Sequence, residues 1–275
     1  MKTIETQGVA IPKLGFGTFR MPGGDCRPVL ESALALGYRH VDTAAMYQNE
    51  DAVGHAIATS AIPRAELFVT TKIWHDQLAT GASIRRAFET SLSKLKLGYV
   101  DLYMVHWPSA DMDMATVMET LEALRSEGGT RSIGVCNFNM RMLKLAVEAI
   151  GAPIASLQIE YHPFLDQSAM LSYARLKGIP LTAHAPLAQG RAANDETLER
   201  IGSKHGASAA QVAIAWLLDQ DGVVAIPKAQ GMQNQRANLD AVRIELDDED
   251  RRAIAALPKG QRFVQPPFAP DWSAT

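Results

Sequence analysis

Four ionisable side chains fall at or just beyond the ends of short apolar runs. Asp42 and Tyr47 lie in HVDTAAMYQNED (40–51), Lys72 near the end of LFVTTKI (67–73), and His106 near the end of VDLYMVHW (100–107). Asp42 and Tyr47 are five positions apart, so they are not helix-face neighbours, which lie three or four apart. An acid that ends a strand and a phenol just past it can instead face one pocket. The chemistry this set suits is proton delivery to a carbonyl oxygen. A free phenol has a pKa of about 10 and is a sluggish donor near neutrality. A nearby ammonium favours phenolate and is expected to lower that pKa. Lys72 and His106 end strongly apolar runs that should be buried, and a buried ammonium needs a partner such as Asp42. His106 could hydrogen-bond the carbonyl oxygen and orient it as negative charge develops there. No side chain can supply a hydride, so reducing that carbonyl requires a cofactor. Taken singly, each residue has a plainer role: a strand-end Asp as a cap, a Tyr as a packed aromatic, a Lys as a solvated cation, a His as a satisfied core residue. Arrival on one rim is what gives the set its weight.

That arrival depends on the elements around them. Eight short β-type runs are spaced along the chain, at 13–19, 39–44, 67–73, 100–107, 132–138, 155–161, 180–186 and 223–228. Amphipathic stretches lie between and after them, at 27–37, 50–60, 83–98, 115–127, 140–149, 168–177, 208–220 and 232–240, with extra helices at 195–205 and 247–257. Val29, Leu30, Ala33, Leu34 and Leu36 share one side of the first, and Ile84, Phe88, Leu92 and Leu95 one side of the third; Gly37 and Gly98 are expected to cap them. Strand-then-helix repeated eight times predicts parallel strands with crossover helices. In 275 residues, eight units suit a closed (β/α)8 TIM barrel better than an open sheet. The expected fold is one α/β barrel domain over 1–275, with an N-terminal β-hairpin turning at Gly8 and extra helices near the C-terminus. The tail GQRFVQPPFAPDWSAT (260–275) should be irregular and packed on the surface. In such barrels the active site lies at the carboxyl ends of the strands, which is where the four residues stand.

Composition narrows the function classes. A net charge of −3 leaves no basic footprint for nucleic acid or an anionic membrane. No apolar run approaches the ~20 residues of a membrane span, and MKTIETQGVAIP has no signal-peptide core. Cys26 and Cys136 read as two reduced thiols in a cytoplasmic protein rather than a disulfide. LGFGTFRMPGG is a poor dinucleotide fingerprint, because its third glycine is misplaced and Pro22-Gly23-Gly24 is expected to delay any helix. Lys228, ahead of a predicted helix N-terminus, is a better phosphate site, although a solvent-facing Lys reads equally well there.

Several stretches, in order and spacing, resemble the aldo-keto reductase family across essentially the whole chain. They are GFGTF (15–19), GYRHVDTAAMYQNEDAVG (37–54), TTKIW (70–74), DLYMVHWP (101–108), IGVCNF (133–138), LQIEYHP (157–163) and IPKA (226–229). Within the family, RFVQPPFAPDW supports a resemblance to the bacterial 2,5-diketo-D-gluconate reductases, the B type especially. The resemblance implies a monomeric barrel that reduces aldehydes or ketones with NADPH, NADH use being left open. Small polar keto or dicarbonyl compounds such as 2,5-diketo-D-gluconate or methylglyoxal are the implied substrates. It implies Tyr47 as general acid, Lys72 as its pKa modifier, Asp42 as the partner of Lys72, and His106 as the group that orients the carbonyl. Implied cofactor contacts are Gly17, Thr18, Asp42, Cys136, Asn137, Gln158, His184, Leu187, Lys228, Ala229, Asn234, Arg236 and Asn238. Of these, Cys136, Asn137 and Gln158 would surround the nicotinamide amide, His184 would stack on its ring, and Lys228 would meet the adenosine phosphate. Phe19, Trp74, His106 and Trp107 would line the substrate mouth, and no metal is implied.

The chain departs from the family pattern in places. Cys136 stands where Ser is usual, and a thiol is the weaker donor. His184 stands where Tyr or Trp is usual, with less stacking area and a charge that would oppose an oxidised nicotinamide. Ala229 replaces Ser or Thr, Asn234 replaces Arg with Arg236 as a possible substitute, and Ala237 replaces Glu. These changes weaken the case for strict NADPH preference. Glu160 and His162 read as structural. Two other functions fit part of the pattern. One is an NADPH-binding redox-sensor module with little turnover. The other is a metal-dependent hydrolase using His40, Asp42, His106 and His162, with His40 and Asp42 on one strand face but with Lys72 repelling the metal.

Overall fold

The computed structural model describes residues 2–274. The chain opens with an antiparallel hairpin, β1 (Thr3–Thr6) and β2 (Val9–Pro12). Gln7 and Gly8 both take positive φ, 44° and 78°, which suits a two-residue hairpin turn. Eight parallel strands follow: β3 (Phe16–Gly17), β4 (His40–Asp42), β5 (Phe68–Ile73), β6 (Leu102–Val105), β7 (Ile133–Cys136), β8 (Ile154–Glu160), β9 (Leu181–His184) and β10 (Val223–Ala225). They neighbour one another in chain order. The two outer strands also meet. Leu14 bridges to Ala225 in parallel, Gly15 N–H donates to Ala225 O at 2.8 Å, and Ala225 N–H donates to Lys13 O at 2.8 Å. The sheet therefore curls into the (β/α)8 barrel that the repeat predicts. The seam is tight: a Cβ at Gly17 would lie 2.8 Å from Ile226 O, so only glycine lets the last strand approach.

Helices cover the outside of the strands, at Gly23–Leu36, Glu50–Thr59, Gly81–Leu95, Met114–Ser126, Met140–Lys144, Ser168–Leu176, Ala209–Asp219 and Met232–Asp240, and the predicted extra pair is Glu196–Lys204 and Asp248–Ala255. Two details differ from the sequence reading. Gly23 and Gly24 form the first helical turn rather than delaying it, because Pro22 O accepts from the N–H groups of Asp25 (2.9 Å) and Cys26 (2.8 Å). The helix Gly81–Leu95 stops at Lys96, in the left-handed region at φ 54°, and not at Gly98. Stopping early brings Leu97 back onto the core. Gly37, at φ 114°, does cap the first helix. Cys26 and Cys136 are both free and buried.

Most apolar residues pack between strands and helices. A second cluster fills the barrel interior, where Val9 and Ile11 of the hairpin meet Phe68, Leu102, Ala155 and Val224. Several of these begin their strands, so the hairpin packs against the amino end and leaves the carboxyl end for a site. The helices on the outside cross closely at Gly54, where a Cβ would lie 2.2 Å from Leu95 O. That backbone oxygen cannot swing away. Gly54→Ala is therefore expected to destabilise the fold by about 1–3 kcal/mol, the usual cost of overpacking, with urea unfolding as the check.

Candidate active site

The site is assembled from strand register. Asp42 ends β4 and pairs with Thr70 on β5, so Lys72, two residues on, is the next β5 side chain on the same face. Lys72 Nζ lies 2.5 Å from Asp42 Oδ1 and donates to Thr43 O at 2.9 Å. Gln158 on β8 donates across the barrel from Nε2 to Asp42 Oδ2 at 2.8 Å. Both members of the ion pair are buried, Lys72 completely. Such a pair is costly unless its remaining bonding capacity is met, and Thr43 and Gln158 meet it.

Past β4 the chain makes one tight turn, Ala45–Tyr47, which lays the phenol ring over this pair. Lys72 Nζ lies 5.2 Å from the Tyr47 ring centroid. The ring packs edge-on against His106 at 5.4 Å and tilted against Phe19 at 5.0 Å. His106 follows β6, and its Nδ1 is buried with no partner. Nε2 is thus the ring nitrogen left to meet a ligand. Asn137, at φ 58°, follows β7; its Nδ2 donates to His106 O at 2.9 Å, and its Oδ1 lies 2.9 Å from His184 Nε2. Because the Asn oxygen is an acceptor, His184 Nε2 carries the proton.

Burial dominates the electrostatics. It pushes the Tyr47 phenol up to about 12; Lys72 pulls the other way and Asp42 adds to the rise. The lowered phenol expected from the sequence is not found, because loss of water outweighs one ammonium that is already neutralised by Asp42. Burial pulls the Lys72 ammonium down, but Asp42 and its hydrogen bond more than reverse this, so Lys72 stays charged. Burial, then Lys72, holds the His106 imidazole well below its ordinary value. Burial also takes His184 down to about 4, against the pull of Glu160. His184 is therefore neutral near pH 7, and the charge that would oppose an oxidised nicotinamide is absent.

These groups open into a cavity of about 470 Å³ at the carboxyl ends of the strands. Gly17, Phe19, Asp42, Tyr47, His106, Trp107, Asn137, Gln158, His184, Leu187 and Lys228 all line it. Other candidates lie elsewhere. Thr18 is buried and donates from Oγ1 to Asp42 O at 3.1 Å. The Cys136 thiol is fully buried against Met104 Sδ at 3.8 Å, inside the barrel, rather than in the cavity wall as expected of an amide contact. Ala229 is buried and its carbonyl accepts from Gln235. Asn234 and Arg236 are exposed and Asn238 is buried. Arg236 lines a separate cleft with Lys2 and Lys13. Trp74 stands behind His106, ring centroids 5.1 Å apart.

The wall also contains residues the sequence reading missed: Arg20, Met46, Pro186, Gln189, Pro227 and Val264. Arg20, Met46 and Pro186 sit beside recognised motif residues, so proximity in sequence is a signal. Val264 had none, since it arrives from the tail. The hydrolase set is not gathered. His40 is buried with Nδ1 3.2 Å from Pro12 O and Nε2 3.3 Å from Thr70 Oγ1, and His162 is held by Glu160. Among the described residues, no group of three or more His, Cys, Asp or Glu is placed to hold a metal. Nor, among them, is any helix long and apolar enough to cross a membrane.

Residues 13–259 match the aldo/keto reductase family. The methylglyoxal reductase DkgB of Escherichia coli O157:H7 is 43% identical over 269 residues, 96% of this chain and 100% of that one. The glyoxal reductase of Bacillus subtilis (strain 168) is 40% identical over 257 residues, 93% and 92% of the two chains. A crystal structure provisionally named 2,5-diketo-D-gluconic acid reductase B superposes with a TM-score of 0.96 at 42% identity, covering 100% of this chain and 98% of the other. With its barrel, its rim of strand-end residues and these matches along nearly its full length, the chain belongs to the aldo/keto reductase family.

Proposed function

We propose that this reductase converts small polar aldehydes, ketones and dicarbonyls to alcohols using NADPH, with Tyr47 as the general acid. The observation that carries the reading is a buried Lys72–Asp42 pair set beneath a phenol, beside an imidazole that meets the same cavity. The polar groups around that cavity fit a nicotinamide. Gln158 has Oε1 unengaged, and Asn137 has a second Nδ2 hydrogen to give. An acceptor and a donor are what a primary carboxamide requires. The neutral His184 ring can stack without repelling a cationic ring. When bound, the cofactor supplies the hydride that no side chain provides.

The protein's own part is to orient and protonate. His106, neutral and open at Nε2, donates to the carbonyl oxygen and holds its carbon toward the cofactor side. As charge grows on that oxygen, the Tyr47 hydroxyl delivers its proton there, completing the alcohol. The phenolate left behind is stabilised by Lys72, which Asp42 keeps charged. Phe19, Met46 and Trp107 give the cavity apolar walls. The names of the similar chains, methylglyoxal reductase and glyoxal reductase, favour small dicarbonyls for this chain too. Every group in the scheme comes from one chain, which suits a monomer, and two free buried cysteines suit a reducing cytoplasm. The redox-sensor reading does not explain why a proton donor and its cation partner should be built into the cavity.

The test is oxidation of NADPH and NADH, side by side, with methylglyoxal, glyoxal and 2,5-diketo-D-gluconate. Multiple turnovers with NADPH are expected; cofactor binding without turnover on any carbonyl would defeat the proposal. Lys228 and Arg20 are the cations on the cavity wall, and Lys228 is assigned to the extra phosphate of NADPH. Lys228→Ala is expected to weaken NADPH about tenfold or more, the worth of one charged hydrogen bond, and to leave NADH unchanged. Fluorescence titration would show this, and equal weakening of both would remove the assignment.

A further inference from the structure

The tail crosses the cavity mouth and has no regular structure. Val264 lines the cavity, and Phe268 packs on Trp74 at 5.7 Å, His75 at 4.5 Å and Trp107 at 5.5 Å. An irregular segment must still satisfy its backbone N–H groups. Among the described residues beyond Gln261, the tail's main-chain donors that reach the barrel are Phe263 N–H and Val264 N–H. Both go to one side chain: Phe263 N–H to Glu160 Oε1 at 2.7 Å and Val264 N–H to Glu160 Oε2 at 2.9 Å. Glu160 is the last residue of β8, beside His184 in the ladder, and is fully buried.

The carboxylate is held from behind as well. His162 Nδ1 accepts from Phe164 N–H at 3.3 Å, so its proton is on Nε2, which donates to Glu160 Oε1 at 3.0 Å. The His162 ring stacks on Phe263 at 5.3 Å. Arg262 Nη1 lies 3.8 Å from Oε2. Burial alone would raise the Glu160 carboxyl, yet these bonds hold it below its ordinary value, so it is ionised near neutrality. Charge-assisted bonds from an ionised acceptor are roughly twice as strong as neutral ones. The far end of the segment is tied separately, by Asn139 Nδ2 donating to Asp271 O at 2.8 Å.

We infer that Glu160 is a positioning residue for the substrate wall: its carboxylate grips the backbone at Phe263 and Val264, and so sets Val264 and Phe268 over the cavity mouth. The inference rests on the reductase reading for its effect on substrate, but not for its effect on the tail. Glutamine is the informative replacement, because it keeps the size of Glu160 and offers one acceptor where two N–H groups need one each.

In Glu160→Gln, amide hydrogen exchange at Phe263 and Val264 is expected to quicken about tenfold or more, while the β8 amides keep their protection. One lost charged bond is worth about that factor. Steady-state kinetics would use phenylglyoxal, whose ring is expected to extend to the mouth where Phe268 packs on Trp107, and methylglyoxal, which has no ring to do so. KM for phenylglyoxal should rise about tenfold, KM for methylglyoxal should change little, and kcat for both should stay within about twofold. Adding Phe268→Ala to Glu160→Gln should raise KM for phenylglyoxal no further than Phe268→Ala alone, since one acts through the other. Unchanged exchange at Phe263 and Val264, additive KM effects, or a fall in kcat with both KM values unmoved would each overturn the inference. Exchange is measured without turnover, so a wild-type chain that reduced no carbonyl would defeat the reductase reading and leave the anchor still testable.

Discussion

Replacing Tyr47 with Phe is expected to lower kcat by about 10²–10⁴-fold, the usual contribution of a positioned general acid. Phenylalanine retains the ring that packs on Phe19 and His106, so cofactor affinity and stability should hardly change. The loss should therefore appear in kcat, while NADPH titration stays within about twofold of wild type. The elevated phenol makes a second expectation. An acid acts only while it holds its proton, and activity is lost as pH rises through its pKa. With Tyr47 pushed up to about 12 and His106 held well below its ordinary value, neither group changes charge between about pH 7 and 9. The rate should be level across that window. Near-normal turnover in Tyr47→Phe would remove the phenol from the mechanism.

Lys72→Met should do two things that can be separated. It removes the cation that stabilises the phenolate, and it leaves Asp42 as an unpaired buried carboxylate. Breaking a buried pair by deleting one partner costs about 3–5 kcal/mol, so the melting temperature should fall along with turnover. Adding Asp42→Asn removes the stranded charge. The double variant is expected to regain most of the stability, because replacing both partners of a buried pair is often nearly neutral. Its turnover should stay low, because nothing then stabilises the phenolate. Thermal unfolding and steady-state kinetics on the two variants decide it: recovery of turnover along with stability would mean that Lys72 serves only the fold.

How much of this is legible in the chain depends on distance along it. Strand-then-helix alternation is local, and it announces eight units. The ends of those units are less legible, because caps answer to tertiary contacts: Leu97, drawn to the core, ends a helix before Gly98 can, and Pro22 O lets two glycines open one. The four residues are legible because Asp42, Lys72 and His106 stand at the ends of apolar runs, Tyr47 follows just past one, and the fold places run ends on one rim. Cys136 and Arg236 show the limit. A motif position tells which strand or helix a residue occupies, but whether its side chain meets the cavity or the barrel interior is decided by packing around it.

The amino-acid sequence alone determined the barrel and pointed to the strand ends near which Asp42, Tyr47, Lys72 and His106 gather, because periodicity and strand-end position are properties of short segments. Only the folded chain decided the charge states and the cavity's outer wall. The Tyr47 phenol rises rather than falls because burial removes water from it, and burial is a property of everything packed around the site. Glu160 grips a tail about a hundred positions away in the chain, a contact whose partners carry no shared pattern and meet only once the barrel has closed.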